Sequence, residues 1–147
     1  SEGEKLMKLL IIVFLAVSTL LVTNKSEVSA KESGGIAKCA MPSFTRAYQD
    51  SNAIFSGKVI NVRTEGDERI FTLQVEKYWK GTKSKTIEVR YYETKYYQAW
   101  LKVGGRYLVF AKKNDNGTLS DNRCSLTKDY SQASAELKKL GKGKLAK

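Results

Sequence analysis

Hydrophobic and polar residues alternate along much of the chain from residue 53 onward, and this two-residue period predicts β-strands. We predict five strands separated by turns: Ala53–Val62, Arg69–Trp79, Thr86–Tyr92, Tyr107–Ala111 and Thr118–Asp121. The first two are rich in β-branched residues and are separated by a short acidic turn, which predicts a hairpin. The fourth is apolar throughout, so we expect it to be buried on both faces.

Two segments have helical patterns. Ser43 can cap a short helix in which Phe44 and Ala47 lie on one face, and residues 131–140 have helical composition. Residues 94–101 could form either a short helix or an irregular loop.

Short strands with regularly spaced turns, and glycines at the bends, are typical of a small closed or nearly closed barrel. The pattern therefore predicts a mainly β fold with a short N-terminal helix and a C-terminal helix.

The N-terminal part of the chain has the pattern of a secretory signal peptide. Met7 and Lys8 form a short basic start, Leu9–Val22 is mostly apolar, and Val28-Ser29-Ala30 is a small-residue cleavage signal. A membrane span needs about 20 apolar residues. Cleavage after Ala30 is therefore favoured over an uncleaved anchor, and the mature chain is expected to keep no membrane span.

These patterns divide the chain into four predicted parts. Residues 1–30 are predicted to be an N-terminal extension and a cleaved signal peptide, and residues 31–38 a flexible arm. The barrel domain is expected at 39–141, followed by a basic tail at 142–147. The protein is accordingly predicted to be secreted, either extracellular or associated with the cell surface, and monomeric.

The chain contains two cysteines, Cys39 and Cys124, near the two ends of the predicted mature domain. Outside the cell membrane, an even pair of cysteines favours a disulfide, and two buried free thiols are the alternative.

The formal net charge of +11 favours anionic surroundings, such as cell-wall polymers, phospholipid headgroups or nucleic acid.

The chain has no histidine. This excludes nucleophilic catalysis of the Ser-His-Asp and Cys-His types and removes the commonest zinc ligand. A glycine-rich phosphate-binding loop is also absent from the sequence. We therefore expect a protein that is not an enzyme and that has no catalytic site, metal site or cofactor.

Aromatic and basic residues are interleaved between residues 90 and 102, as in barrels that hold single-stranded nucleic acid. The residues of this candidate surface are Arg90, Tyr92, Lys95, Tyr97 and Lys102. They predict, as an alternative function, a basic adhesion module that binds anionic cell-wall polymer or nucleic acid. The competing interpretation is that the tyrosines pack the barrel and cover its rim.

The segment from Cys39 to Val59 resembles the start of the tissue inhibitors of metalloproteinases, and more closely their bacterial relatives. It has a cysteine, a proline, a short helix and a first strand that contains Gly-Lys-Val. Three further segments fall where those proteins have the end of their second strand, their fourth strand and their closing cysteine: 78–81, 105–111 and 122–125. The resemblance implies a five-stranded Greek-key barrel of the oligonucleotide/oligosaccharide-binding (OB) type. It also implies that Cys39 pairs with Cys124.

In the animal inhibitors, the first cysteine is the mature N-terminus, and its free amine and carbonyl chelate the proteinase zinc. In a gap-free alignment, Cys39 falls on the family's second cysteine, and the first cysteine falls on Ala37. An amide nitrogen inside a chain cannot chelate in this way, because its lone pair is delocalised in the peptide bond. Inhibition through zinc is therefore not expected by this route.

The resemblance implies a partner that is an extracellular or cell-surface protein, with a metalloproteinase as one candidate. The contact edge would comprise the loop at Thr64–Arg69 and an N-terminal ridge. The ridge consists of six consecutive residues: Cys39, Ala40, Met41, Pro42, Ser43 and Phe44.

Overall fold

The computed structural model describes residues 2–8, 39–81 and 83–147. The predicted apolar run, the cleavage signal and the arm at 31–38 lie outside these residues. Residues 2–8 are helical (α1), and Glu4 and Lys8 form an ion pair there at 3.2 Å. Within the described part of the chain, no helix is both long enough and apolar enough to cross a membrane.

The barrel domain, from Cys39 onward, contains short helices at both ends and strands between them. Its strands are β1 (Ala53–Glu65), β2 (Glu68–Lys80), β3 (Thr86–Tyr92), β4 (Arg106–Lys113), β5 (Leu119–Asp121), β6 (Lys128–Asp129) and β7 (Lys144–Leu145). Its helices are α2 (Phe44–Asp50), a 3₁₀ helix (Tyr130–Gln132) and α3 (Ser134–Leu140). All five predicted strands and both predicted helical segments are confirmed. Residues 94–101 form an irregular loop with one isolated bridge between Thr94 and Tyr97.

The first five strands close into a barrel in the order β1-β2-β3-β5-β4, with β4 pairing back onto β1. All neighbours are antiparallel except β3 and β5, which are parallel. This is a mainly β, closed five-stranded barrel of OB-fold type with outer strands and helices, and it confirms the predicted fold class.

Strand β1 pairs with β4 along its first half and with β2 along nearly its whole length. Its first half lies between β4 and the end of β2, and its second half pairs with the start of β2. The register against β2 shifts between Ser56 and Gly57. A Cβ at Gly57 would lie 2.7 Å from the carbonyl oxygen of Gln74. A residue without a side chain is therefore required where the two backbones approach each other.

Buried side chains form two hydrophobic cores, one inside the barrel and one between the barrel and the flanking helices. Strand β4 separates them, and its side chains alternate between the two. Tyr107, Val109 and Ala111 point into the barrel core, and Leu108 and Phe110 point into the outer core. The prediction that this strand is buried on both faces is confirmed.

The predicted basic tail at 142–147 is partly regular structure, because Lys144–Leu145 forms β7 on the edge of β2. The pairing of β2 with β3 ends at Gln74, although β2 continues to Lys80. Without another partner, the last residues of β2 would leave backbone groups unpaired at the edge of the sheet. The tail occupies this edge.

Candidate protein-binding edge

A disulfide joins Cys39 to Cys124, with a Cα–Cα distance of 5.1 Å and a sequence separation of 85. The predicted pairing is confirmed. Cys124 lies in the loop that follows β5, so the bond attaches the N-terminal ridge to the end of the barrel strand that precedes this loop.

Helix α2 holds the other end of the ridge. The hydroxyl of Ser43 accepts a hydrogen bond from the backbone nitrogen of Arg46 at 3.3 Å, as expected of an N-cap. Ala47 is buried in the outer core, and Phe44 packs edge-on against Phe110. The ridge is therefore fixed at one end by a covalent bond and at the other by a capped, packed helix.

Exposure along the ridge is uneven. Cys39, Pro42 and Phe44 are half-buried, whereas the residues between them are exposed. Met41 is 54% exposed and is the largest of the exposed ridge side chains. A flexible, polarizable methionine side chain adapts readily to an apolar pocket. Met41 is therefore the ridge residue best suited to insert into an apolar pocket of another protein.

A groove of about 230 Å³ lies beside the ridge. Pro42 and Phe110 contribute apolar surface to its lining, and Asp50, Lys112 and Asn122 contribute polar groups. The groove thus offers both apolar contact and hydrogen-bonding groups beside two ridge residues, Ala40 and Pro42, a combination that is usual in binding sites.

The buried carboxylate of Asp121 lies beneath this groove. It accepts hydrogen bonds from the hydroxyl of Tyr91 at 2.6 Å and from the backbone nitrogen of Asn122 at 2.7 Å. Burial raises the pKa of Asp121, and hydrogen bonds from Thr127, Tyr91 and Ser125 oppose this effect in part. Because these donors come from β3 and from the loop around Cys124, the carboxylate holds that loop against the barrel.

The loop predicted at Thr64–Arg69 is a tighter hairpin than expected. Glu65 and Glu68 are Cα partners, so the turn itself consists of Gly66 and Asp67. Gly66 has φ of +57°, a left-handed conformation that glycine adopts without strain.

Contacts connect this hairpin to the ridge through the loop after β3. The backbone nitrogen of Glu93 donates to the carbonyl of Asp67 at 2.7 Å. Further along the loop, Tyr97 lies close to Asp121 and to the backbone of Arg123, next to the disulfide. Burial raises the pKa of Tyr97 to about 12, and the charge of Asp121 adds to this effect. The loop after β3 therefore contacts both the hairpin and the loop that carries Cys124.

The candidate aromatic and basic surface does not form a single basic platform. Arg90 donates to the carboxylates of Glu68 at 2.8 Å and Glu65 at 3.4 Å, so its charge is balanced. Tyr97 is half-buried. Tyr92, at 59% exposed, remains available at the surface, as do two lysines, Lys95 and Lys102.

Sequence reasoning did not single out the pair Tyr91 and Asp121. Strand alternation does place Tyr91 on the same side as Ile87 and Val89, which are buried. No comparable signal marks Asp121, because an aspartate before a turn is usually solvated. In the described residues, no group of three or more histidine, cysteine, aspartate or glutamate side chains could hold a metal ion.

No protein-family model matches the chain, and no curated protein matches it significantly. The relationship to the tissue inhibitors of metalloproteinases therefore depends on the sequence segments described above and stays a prediction.

Proposed function

We propose that the domain is a secreted, non-enzymatic OB-fold module whose N-terminal ridge binds an extracellular or cell-surface protein. The main support is the ridge itself, which is held at both ends, exposes Met41 and lines a groove with Ala40 and Pro42. A segment that is already ordered loses little conformational entropy on binding. Such a ridge is suited to insertion into a partner's cleft.

Secretion is supported by the disulfide, because disulfides persist in oxidising compartments. The intact mass of the protein recovered from the medium tests this part of the proposal. A chain that begins at Lys31, and is lighter than its reduced form by two hydrogens, is expected. Recovery of the protein only inside the cell, with both thiols free, would contradict it.

The same mass measurement bears on a metalloproteinase as partner. With residues ahead of Cys39, the backbone nitrogen of Cys39 is a peptide nitrogen and cannot chelate zinc as a free amine does. Binding to a proteinase would then use the ridge and groove as a protein-protein contact. A mature chain that begins at Cys39 would instead favour inhibition by chelation.

Two exposed apolar residues provide a matched test of the ridge. Met41 is 54% exposed on the ridge, and Val103 is 57% exposed in the loop before β4. Proteins retained from a cell-surface and culture-medium extract by the wild type should also be retained by Val103→Asp but lost with Met41→Asp. Equal retention by both variants would show that the ridge is not the contact.

A further inference from the structure

Six exposed lysines lie on two segments that are far apart in sequence and adjacent in the fold. We call them the lysine strip: Lys77, Lys83, Lys85, Lys142, Lys144 and Lys147. The first three belong to β2 and the loop that follows it, and the last three belong to the C-terminal segment.

Backbone pairing brings the two segments together. In the β2–β7 ladder, Lys77 is the partner of Leu145, and Tyr78 is the partner of Lys144. The backbone nitrogen of Lys147 donates to the carbonyl of Lys83 at 3.1 Å. At the other end, the indole nitrogen of Trp79 donates to the carbonyl of Gly141 at 2.9 Å. The two segments therefore form an ordered edge of the sheet, with Lys77 beside Leu145 on one face and Lys144 beside Tyr78 on the other.

The charge of the strip is not neutralised by neighbouring carboxylates. Residues 77–87 and 137–147 contain no aspartate or glutamate. Throughout the described residues, none of the six lysines is within ion-pairing distance of a carboxylate, whereas five arginines are: Arg46, Arg63, Arg69, Arg90 and Arg106. Six lysines along one ordered edge without ion-pair partners give a local excess of positive charge, and this favours binding of a polyanion.

We infer that the lysine strip binds a linear phosphodiester polymer without bases, through the charges along its backbone. Lysine ammonium groups are compact point charges that contact phosphates without the fixed geometry of an arginine fork. This inference goes beyond the proposed protein-binding function and uses a different surface, so either can fail without the other.

Two features of the strip favour such a polymer over other polyanions. Base stacking needs exposed aromatic faces. Here Tyr78 is buried, and Trp79 is half-buried with Gly143 packed against its ring. A lipid surface is favoured by several apolar side chains that insert between headgroups. Leu145, at 71% exposed, is the one large apolar side chain that the described part of these segments exposes.

The test measures binding of a synthetic glycerol-phosphate oligomer to the full secreted chain over a range of salt concentrations. The strip variant combines Lys83→Gln, Lys85→Gln and Lys144→Gln. The control combines Lys58→Gln, Lys113→Gln and Arg123→Gln, three exposed basic residues outside both the strip and the candidate aromatic and basic surface, and loses the same charge.

We expect the strip variant to bind at least about tenfold more weakly at low salt, and the control within about threefold of the wild type. The slope of log K against log salt should become shallower by about 2 in the strip variant, since each lost phosphate contact removes about 0.7. Equal losses in the two variants would overturn the inference, because binding would then follow net charge alone.

Two further probes identify the polyanion. A length-matched oligothymidylate and vesicles of mixed phosphatidylglycerol and phosphatidylcholine are measured under the same conditions. Tighter binding of either, with loss in the strip variant, would overturn the inference in favour of nucleic acid or a membrane surface. The ridge variant Met41→Asp should bind the oligomer as the wild type does, which separates this result from the proposed protein-binding function.

Discussion

The hydroxyl of Tyr91 donates a hydrogen bond of 2.6 Å to the carboxylate of Asp121. The two residues are also Cα partners in the parallel pairing of β3 with β5, which completes the barrel. Both side chains are buried. The bond therefore connects the closure of the barrel to the loop that carries Cys124 and, through the disulfide, to the ridge.

Removing the Tyr91 hydroxyl should destabilise the domain. Tyr91→Phe keeps the ring in the core but leaves the buried carboxylate without one of its donors, at an expected cost of about 1–3 kcal/mol. Urea denaturation measures the free energy of unfolding. Tyr92→Phe is the matched control, because the adjacent ring is 59% exposed and should change the stability little. Similar effects of both variants would contradict this role of the hydrogen bond.

The raised pKa of Asp121 predicts a specific pH dependence. When the pKa of an acid is higher in the folded state than in the unfolded state, its contribution to stability is fully present below the unfolded pKa. That contribution is lost as the pH rises through the folded pKa. The free energy of unfolding of the wild type, relative to Asp121→Asn, should therefore fall as the pH increases from about 4 toward neutrality.

Asp129 provides a control of opposite sign. Hydrogen bonds from the side chain and backbone of Ser131 hold its pKa below the usual value. The stability of the wild type relative to Asp129→Asn should accordingly fall as the pH decreases through the lowered pKa. A difference between wild type and Asp121→Asn that does not vary with pH would contradict the assignment of a raised pKa to Asp121.

The disulfide should supply much of the stability of the barrel domain. It closes a loop with a sequence separation of 85, and chain-entropy arithmetic gives a stabilisation of about 4–5 kcal/mol for such a loop. The double variant Cys39→Ser/Cys124→Ser should lose about this amount in urea denaturation. The reduced wild type should match the double variant. A loss below about 1 kcal/mol would show that the disulfide contributes little to the stability of the domain.

Alanine substitutions at two adjacent residues of β1 should have different effects on the stability of the domain. Gly57→Ala places a Cβ against the Gln74 carbonyl, and the resulting backbone shift should cost about 1–3 kcal/mol. The Ser56 hydroxyl is buried and has no hydrogen-bond partner among the described residues. Ser56→Ala should therefore be neutral or stabilising by up to about 1 kcal/mol.

Thermal unfolding of both variants checks this pair. A Gly57→Ala variant as stable as the wild type would mean that β1 tolerates a side chain at the register shift. A strongly destabilised Ser56→Ala variant would mean that the hydroxyl has a partner.

The barrel could be predicted from local patterns because each of its five main strands has its own alternation. Two strands escaped prediction. β6 and β7 each contain two residues, which is too short for any period to appear. β7 exists because β2 has an open edge, and that edge depends on where β3 stops pairing.

Some features of the candidate site could likewise be predicted from the sequence, and others could not. The ridge and both cysteines could be named from the sequence, since a cysteine, a proline and a helix cap are local signals. The aromatic and basic surface around Arg90 could be named as well. Glu65 and Glu68 balance the charge of Arg90. This could not be predicted from the sequence, because it depends on how β1, β2 and β3 pair.

The sequence by itself determined the strand and helix segments, the excess of positive charge and the absence of histidine. These are properties of residue type and of short-range spacing. The tertiary structure decided the burial of Asp121 beside Tyr91, the joining of the ridge to the loop after β5, and the gathering of lysines from β2 and the C-terminal segment. Each of these joins residues distant in the chain, and only the closure of the barrel and the pairing of β7 with β2 bring such residues together.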